Sequence, residues 1–399
     1  MISTDFAPNA SISDALLSIK LLCNPLSWYD KYKLKKAKKL LAEIIGEKSE
    51  KVELFYNGRS ALYWLLKNLK LVENEKVLVT GYTCIAVILP LISLKLHPIY
   101  IDIEGKTFGM DYADFVKKYD QSKGKPKVCI LQHTYGILPQ SREKIMDFCE
   151  KNDIFLIEDL AHGFDWDEIE TWKRPKNGAW LFSFGRSKMI SSVDGGAVVK
   201  FGNKTLSYFE DLPTGKQPTT LLIRLILYNL LAVTIKSTYD IYLGKLLHLI
   251  FKTLGLMLPE ISKEEKQGGL GQNIQWRFSS AQAEFLSRQL IDYPNKLIHK
   301  KKTLSAYISQ FGWGNTINLP WGRFPLLIDN RDQIIKDCRN KNIYLGAWYK
   351  NPIEAGSKKL EFFGYESGMC PMSEKIGKNI LNLPLNYKID FRKVISVTK

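Results

Sequence analysis

The 399-residue chain has few side chains of the types that bind metal ions or form disulfides. It contains five histidines and six cysteines, and no two cysteines form a CxxC pair. Zinc sites and disulfide frameworks depend on such spacings, so neither is predicted and no metal is expected at the functional site. A reducing compartment suits these isolated thiols best.

The start of the sequence lacks the basic residues and the compact apolar core of a signal peptide, because its first basic residue is Lys20. We therefore expect a cytoplasmic protein.

Acidic residues are also scarce: the sequence has 41 Asp and Glu but 57 Lys and Arg, which gives a net charge of +16. This charge attracts anionic ligands and surfaces. Nucleic acid is not expected as a partner, since zinc-finger spacing, RNP-like aromatic motifs and a compact basic arm are missing.

Short apolar runs alternate with helical patterns through the first half of the chain. The runs that predict strands lie at residues 76–80, 98–103, 127–131 and 154–159. This alternation predicts an α/β fold with a mostly parallel, buried central sheet and helices on both faces. Two further runs, 179–184 and 195–201, are predicted to be antiparallel neighbours in the sheet.

The chain is longer than a single hydrophobic core usually organises, so more than one domain is expected. We expect an N-terminal helical segment at 1–50, a large α/β domain at 51–220, an apolar and basic helical insertion at 221–265, and a smaller C-terminal α+β domain at 266–399.

Several residues with useful chemistry fall near the ends of predicted strands, where α/β sheets bind their ligands. Gly58, Arg59 and Ser60 precede a helical pattern. A helix start offers free N–H groups to a phosphate, although such a turn can also serve only as a cap. Asp159 ends an apolar run, and a carboxylate there needs a positive partner, which could be a ligand, a structural Arg or a helix N-terminus.

A lysine lies between the last two predicted strands. Lys188 belongs to the stretch SFGRSKMISSVDGGAVV, in which the Gly195–Gly196 pair lets the backbone pass close to a flat group. An amine in this place can form a Schiff base, although most loop lysines are solvated. His162 could bond a ring oxygen or be a core histidine. A phosphate turn, an aromatic residue, a strand-end acid and a lysine follow one another in the sequence. This set matches what pyridoxal 5′-phosphate requires, which is a phosphate site, a side chain that stacks on the ring, an acid for the ring nitrogen and an amine for the aldehyde.

Longer motifs surround these residues. They are GRSAL at 58–62, GYTCIA at 81–86, HTYG at 133–136, IEDLAHGF at 157–164, SFGRSK at 183–188, WRFSSAQAEFLSRQL at 276–290 and LNLPLN at 381–386. Together they resemble the DegT/StrS family of sugar aminotransferases, within the fold type I pyridoxal-phosphate enzymes. The resemblance covers about residues 50–390 and implies a two-lobe fold with pyridoxal 5′-phosphate as cofactor.

The resemblance also implies roles for the residues around the cofactor ring. Lys188 corresponds to the lysine that carries the cofactor, and Asp159 to the acid that keeps the pyridine nitrogen protonated. His162 corresponds to the family's Gln or His beside that acid, and Tyr82 to the aromatic side chain that stacks on the ring. The dehydratase branch of the family has a histidine in place of this lysine, so Lys188 argues against that branch.

The phosphate binders follow from the same resemblance. Gly58, Arg59, Ser60 and Ser183 correspond to residues that hold the phosphate within one subunit. Gln275 stands where the family usually has an Asn that the neighbouring subunit supplies to the phosphate. That departure leaves the contact across the dimer open.

The activity implied is transfer of an amino group from an amino acid, glutamate, to a keto sugar linked to a nucleotide, by a homodimer, in the synthesis of amino sugars or surface glycans. Two alternatives stay open. One is a catalytically silent scaffold that binds the cofactor or a sugar nucleotide at a membrane glycan-assembly site. The other is a transaminase for a non-sugar cyclic ketone.

Residues 221–258 form an apolar and basic insertion. Its longest uncharged run is 225–235, which is shorter than the roughly 20 residues that span a bilayer. Lys and Arg between leucines and tyrosines are typical of helices that lie in a membrane interface, so we expect peripheral membrane contact. The alternative is a helical pair buried in the dimer interface or against the lobes.

Overall fold

The computed structural model describes residues 1–202, 209–313, 318–354, 356–386 and 389–398. Its strands are β1 (Ile2–Ser3), β2 (Val52–Phe55), β3 (Lys76–Thr80), β4 (Thr83–Cys84), β5 (His97–Ile101), β6 (Val128–Gln132), β7 (Phe155–Asp159), β8 (Gly178–Ser183), β9 (Gly196–Phe201), β10 (Arg323–Leu327), β11 (Ile343–Tyr344), β12 (Ile353–Glu354) and β13 (Ile380–Pro384). Its α-helices are α1 (Ile12–Leu22), α2 (Lys31–Ile44), α3 (Gly58–Asn68), α4 (Ile85–Ser93), α5 (Tyr112–Gln121), α6 (Arg142–Lys151), α7 (Thr219–Thr238), α8 (Leu243–Thr253), α9 (Lys263–Lys266), α10 (Ser280–Phe311), α11 (Arg331–Asn340), α12 (Pro371–Asn379) and α13 (Phe391–Thr398).

A seven-stranded sheet in the order β2-β9-β8-β7-β6-β3-β5 forms the centre of the molecule. The five strands from β8 to β5 run parallel to their neighbours. Strand β9 is antiparallel to β8, and β2 is antiparallel to β9. The predicted α/β class and the antiparallel pairing of the last two runs are therefore confirmed, and Lys188 lies in the connection between β8 and β9.

Both faces of this sheet are covered, because alternate side chains of a strand point to opposite faces. In β3, Val77 and Val79 pack with α3 and α4. Leu78, between them, packs with α5 and α6 on the other face. Burial on both faces explains why these strands read as continuous apolar runs.

A third core joins the beginning and the end of the chain. Helix α10 packs lengthwise against α2, and their apolar residues share one cluster with side chains of β8, β9, β10 and β13. Strands β10 and β13 form an antiparallel pair. The four domains predicted from the sequence stay a prediction, and this shared core shows that segments 1–50 and 266–399 pack together.

The apolar insertion folds as a helical hairpin. Helix α7 packs against α1 and α10, and α8 packs back on α7. Among the described residues, α7 is the helix that is long and apolar enough to cross a membrane by length and composition. Core helices pass the same test, and one side of α7 is buried through Leu222, Leu225, Ile226, Tyr228, Ala232 and Ile235.

Candidate active site

An open cleft with about 980 Å³ of empty space lies at the carboxyl ends of β6, β7 and β8, beside the start of α3. Six of the nine residues predicted from the sequence line this cleft: Gly58, Arg59, Asp159, His162, Ser183 and Lys188. The fold therefore brings together a strand-end acid, a lysine and a helix start that are up to 130 positions apart in the sequence.

Two adjacent carboxylates at the end of β7 have contrasting environments. Glu158 receives hydrogen bonds from His133 Nε2 at 3.0 Å and from Arg142 Nη2 at 2.9 Å. Burial raises the pKa of Glu158, but the charge of Arg142 and these hydrogen bonds outweigh burial and lower the pKa to about 2. The structural arginine at this edge of the sheet thus pairs with Glu158 and not with Asp159.

Asp159 faces the cleft, and no cation in the described part of the chain is bonded to its carboxylate. Among the described residues, its one hydrogen-bond donor is the backbone N–H of Ala161, at 2.9 Å. Burial raises the pKa of Asp159 to about 6, although this N–H and the charge of Lys188 oppose the shift. A buried carboxylate without a partner stabilises a positive group that enters the cleft.

His162 is held as a neutral hydrogen-bond donor. Its Nδ1 accepts the backbone N–H of Tyr135 at 3.0 Å, so the ring hydrogen lies on Nε2 and points to Tyr349 Oη at 2.6 Å. Burial, together with the charges of Lys188 and Arg323, lowers the pKa of His162 well below its usual value. The imidazole is thus fixed in one tautomer.

Lys188 is half-buried in the wall of the cleft. Asn9 Nδ2 donates to its backbone carbonyl at 2.9 Å, and its Nζ lies 4.9 Å from the centre of a Trp348 ring. Burial lowers the pKa of Lys188, although Glu260 opposes the shift. No hydrogen bond or ion pair to this amine occurs within the described ranges, so its nitrogen is available to react.

The start of α3 approaches the same cleft. Asn57 caps this helix by accepting the N–H of Ser60 at 2.8 Å. Arg59 donates to the carbonyl of Glu260 at 3.0 Å, and its Nε lies 2.7 Å from Glu265 Oε1. The Ser60 hydroxyl donates to the carbonyl of Ile274 at 3.0 Å. Ser60 is fully buried and does not line the cleft.

Two other predicted residues also lie outside the cleft wall. Tyr82 is fully buried, and its hydroxyl accepts the N–H of Tyr349 at 2.8 Å and contacts Tyr135 Oη at 3.0 Å. The structure therefore places Tyr82 behind the wall, whereas Cys84, two residues on, lines it. Gln275 lies in the short turn 272–275 and does not line the cleft either.

Further lining residues were not anticipated from the sequence. Trp348 and Tyr349 reach the cleft because β12 pairs with β4, a contact that no local pattern reveals. Glu260 also lies in the cleft wall. It stands out in the sequence, because it is the first acid after a stretch of 19 residues, 241–259, that contains none.

The residues present fit pyridoxal 5′-phosphate. Asp159 offers an unpaired buried carboxylate for a protonated ring nitrogen, and Lys188 offers a free amine for an aldehyde. Gly185 leaves a small open space beside Lys188: a Cβ there would lie 3.5 Å from Glu260 Oε1, 3.6 Å from Lys188 Cγ and 3.8 Å from Ser183 Oγ.

Comparison with known sequences agrees with this chemistry. Residues 29–208 match the sequence model of the DegT/DnrJ/EryC1/StrS aminotransferase family. This match confirms the predicted family resemblance.

GDP-perosamine synthase of Escherichia coli O157:H7 is 31% identical over 150 residues, which are 38% of this chain and 40% of that protein. The dTDP-4-amino-4,6-dideoxy-D-glucose transaminase of Shigella dysenteriae is 28% identical over 165 residues, which are 41% of this chain and 42% of that protein. The chain thus matches about two fifths of the length of these curated relatives.

Two solved structures have the same fold as this chain. An aminotransferase of the DegT family from Brucella abortus superposes with a TM-score of 0.69 at 17% identity, over 96% of this chain and 94% of that one. NtdA from Bacillus subtilis, solved with bound cofactor PMP, gives a TM-score of 0.68 at 15% identity, over 97% of this chain and 80% of that one. The similarity of fold therefore extends over nearly all of the chain.

Proposed function

We propose that the chain is an aminotransferase that depends on pyridoxal 5′-phosphate. The observation that carries the proposal is the pair of Asp159 and Lys188, which face one cleft and, within the part of the chain that the structure describes, have no cation bonded to the carboxylate and no hydrogen bond to the amine. Structural pairing would satisfy both groups, as Arg142 satisfies Glu158. A silent scaffold has no need of a buried lysine of lowered pKa beside a buried acid in the same cleft.

The bound cofactor would supply an electron-accepting ring and an aldehyde carbon. Asp159 keeps a proton on the ring nitrogen, because a carboxylate in this buried site pairs with a positive group. Lys188 would hold the aldehyde end until the amino donor displaces it, and the freed amine, whose pKa burial lowers, would then take and return a proton at the substrate carbon. His162 presents a ring that is fixed by its bond to Tyr349 Oη, and Ser183 with the start of α3 would hold the phosphate.

We propose a nucleotide-linked keto sugar as amino acceptor, glutamate as amino donor and a homodimer as the assembly. The names of the two curated relatives, a GDP-perosamine synthase and a dTDP-amino-sugar transaminase, support the acceptor. The net charge of +16 favours a substrate that carries a diphosphate. The non-sugar cyclic ketone stays the alternative acceptor, which the assay below separates.

The test is formation of 2-oxoglutarate from glutamate, with a panel of nucleotide-linked keto sugars and of keto cyclitols, in the cofactor-loaded protein. Lys188→Ala should abolish turnover. Lys106→Ala, which removes an exposed lysine far from Lys188 in the sequence, should leave turnover unchanged. Substantial turnover by Lys188→Ala would overturn the assignment. If the protein turns over keto cyclitols and no keto sugar, the amino acceptor is a cyclitol and the proposed sugar substrate is wrong.

We also propose peripheral contact with the inner face of an anionic membrane, through the insertion. In α8 the side chains of Leu243, Leu246, Leu249 and Ile250 are exposed, and Leu254 follows just after the helix. Gly244 is the buried residue of this helix. Residues 241–259 contain two lysines and no acid. The exposed apolar side chains therefore suit the hydrocarbon of a membrane, and the lysines suit its anionic headgroups.

Co-sedimentation with vesicles tests this contact. The protein should sediment with vesicles rich in phosphatidylserine at low salt and should not sediment with neutral vesicles. The double variant Leu246→Ser, Leu249→Ser should lose binding, whereas Val72→Ser, at an exposed apolar site elsewhere, should keep it. If the double variant instead changes the oligomeric state and the wild type ignores vesicles, α8 belongs to a subunit interface and the membrane proposal fails.

A further inference from the structure

The chain that follows α8 passes along the phosphate end of the cleft. Arg186 donates to the carbonyl of Leu258, and Arg59 Nη1 donates to the carbonyl of Glu260 at 3.0 Å. Ile261 and Glu260 are both in the cleft wall. Backbone contacts to two arginines thus fix this segment against the site.

The side chain of Glu260 accepts the hydrogen bonds that an anionic ligand would use. Its Oε1 receives the Ser187 N–H at 3.1 Å and the Ser187 hydroxyl at 2.6 Å. The same oxygen lies 3.5 Å from the position of a Cβ on Gly185, and Ser183 Oγ lies 3.8 Å from that position. The carboxylate therefore occupies the corner between the β8–β9 connection and the start of α3.

The charges at this corner are already balanced. Arg59 pairs with Glu265 at 2.7 Å, and Arg186 pairs with Asp194 at 2.9 Å. Glu260 faces the remaining cation, Lys188, together with Arg186. Three carboxylates thus oppose three cations, which leaves no net positive charge for a phosphate dianion.

We propose that Glu260 is an internal anion, which occupies the anion-binding corner of the cleft in the cofactor-free protein and competes with the phosphate of pyridoxal 5′-phosphate. The inference rests on the proposed function, because it concerns the cofactor of that function. Glu260 acts here as a binding-site residue that sets cofactor affinity. Removing its charge relieves repulsion of the phosphate and keeps the hydrogen bonds that fix the segment.

The experiment is a titration of the apo-protein with pyridoxal 5′-phosphate and, separately, with pyridoxal, which lacks the phosphate. Binding is followed through tryptophan fluorescence, since Trp348 lines the cleft. Glu260→Gln should bind pyridoxal 5′-phosphate about tenfold more tightly than wild type, as expected for removal of one nearby like charge. Its affinity for pyridoxal should be unchanged. Glu264→Gln, an exposed carboxylate on the same segment, should match wild type with both ligands.

The glutamine can still accept the two bonds from Ser187, and the bond from Arg59 goes to the backbone, so the variant should fold. Thermal unfolding of each variant checks this, and inorganic phosphate should raise the melting temperature of Glu260→Gln more than that of wild type. Equal or weaker binding of pyridoxal 5′-phosphate by a folded Glu260→Gln overturns the inference alone. Failure of wild type to bind either ligand overturns the proposed function and this inference with it.

Discussion

Replacement of Asp159 by Asn should stabilise the cofactor-free protein. Burial raises the pKa of this carboxyl to about 6, against an ordinary value of 3.8. Because the folded-state pKa lies above that of the unfolded chain, the charged carboxylate destabilises the fold. This cost is absent below about pH 4, grows as pH rises, and is complete above about pH 6. A shift of about two units corresponds to about 3 kcal/mol.

Urea unfolding of the apo-protein measures the effect. At pH 7 we expect Asp159→Asn to have a free energy of unfolding up to about 3 kcal/mol above that of wild type, and the difference should vanish near pH 4. The amide oxygen can still accept the Ala161 N–H, which is 2.9 Å from the present carboxylate. The same variant should lose transamination, because an amide does not hold the proton on the ring nitrogen.

A matched control lies one residue earlier in the same strand. Glu158 has the lowered pKa of a paired carboxylate, so Glu158→Gln should destabilise the protein at pH 7, the opposite sign. A less stable Asp159→Asn at pH 7, or a difference that stays the same between pH 4 and pH 7, would refute the reasoning that the cleft keeps an unpaired charge.

Two further predictions concern groups around the cleft. Lys300 is buried with its Nζ on the carbonyl of Trp321 at 2.6 Å, and burial lowers its pKa to about 7. Its charge therefore costs stability below about pH 7, and the cost is relieved as pH rises toward 10.5. Lys300→Met should be more stable than wild type by up to about 5 kcal/mol at pH 6 and by little at pH 10 in urea unfolding. An advantage that does not shrink with pH would contradict this. Tyr349→Phe should leave the Nε2–H of His162 without its acceptor and lower the free energy of unfolding by about 1–3 kcal/mol at pH 7; an unchanged value would show that the bond contributes nothing.

Much of the sheet could be predicted from the sequence. The run at 76–80 is β3 to the residue, and the runs ending at Asp159 and beginning near Gly195 differ from β7 and β9 by one position at their starts. These strands are buried on both faces, so their apolar character is continuous and local. The position of Lys188 between β8 and β9 follows directly from that pattern.

The cleft was only partly predictable, because Glu260, Ile261, Trp348, Tyr349 and Glu354 in its wall come from segments distant from the central sheet in sequence. Asp159, His162 and Lys188 lie on strand ends that one parallel sheet aligns, and sequence order is enough to group them. Tyr82 illustrates the limit. Tyr82 lies just after β3, but the pairing of β12 with β4 places Trp348 and Tyr349 near it. Tyr82 therefore bonds to the backbone of Tyr349 and does not reach the cleft.

Glu260 is a second cleft residue whose position could not be predicted from the sequence. The insertion could be recognised by its composition, and its helical character was expected. That the chain after α8 returns to the cleft depends on backbone contacts to Arg59 and Arg186. Such contacts have no periodic pattern, so they are outside what sequence reasoning can place.

The most direct test of the central claim is the absorbance spectrum of the purified protein with pyridoxal 5′-phosphate, recorded before and after addition of glutamate, in wild type and in Lys188→Ala. We predict a visible band of lysine-bound cofactor that glutamate bleaches in wild type, and no such band in Lys188→Ala. A folded wild-type protein without the band, or a bleachable band of equal strength in Lys188→Ala, would contradict the account.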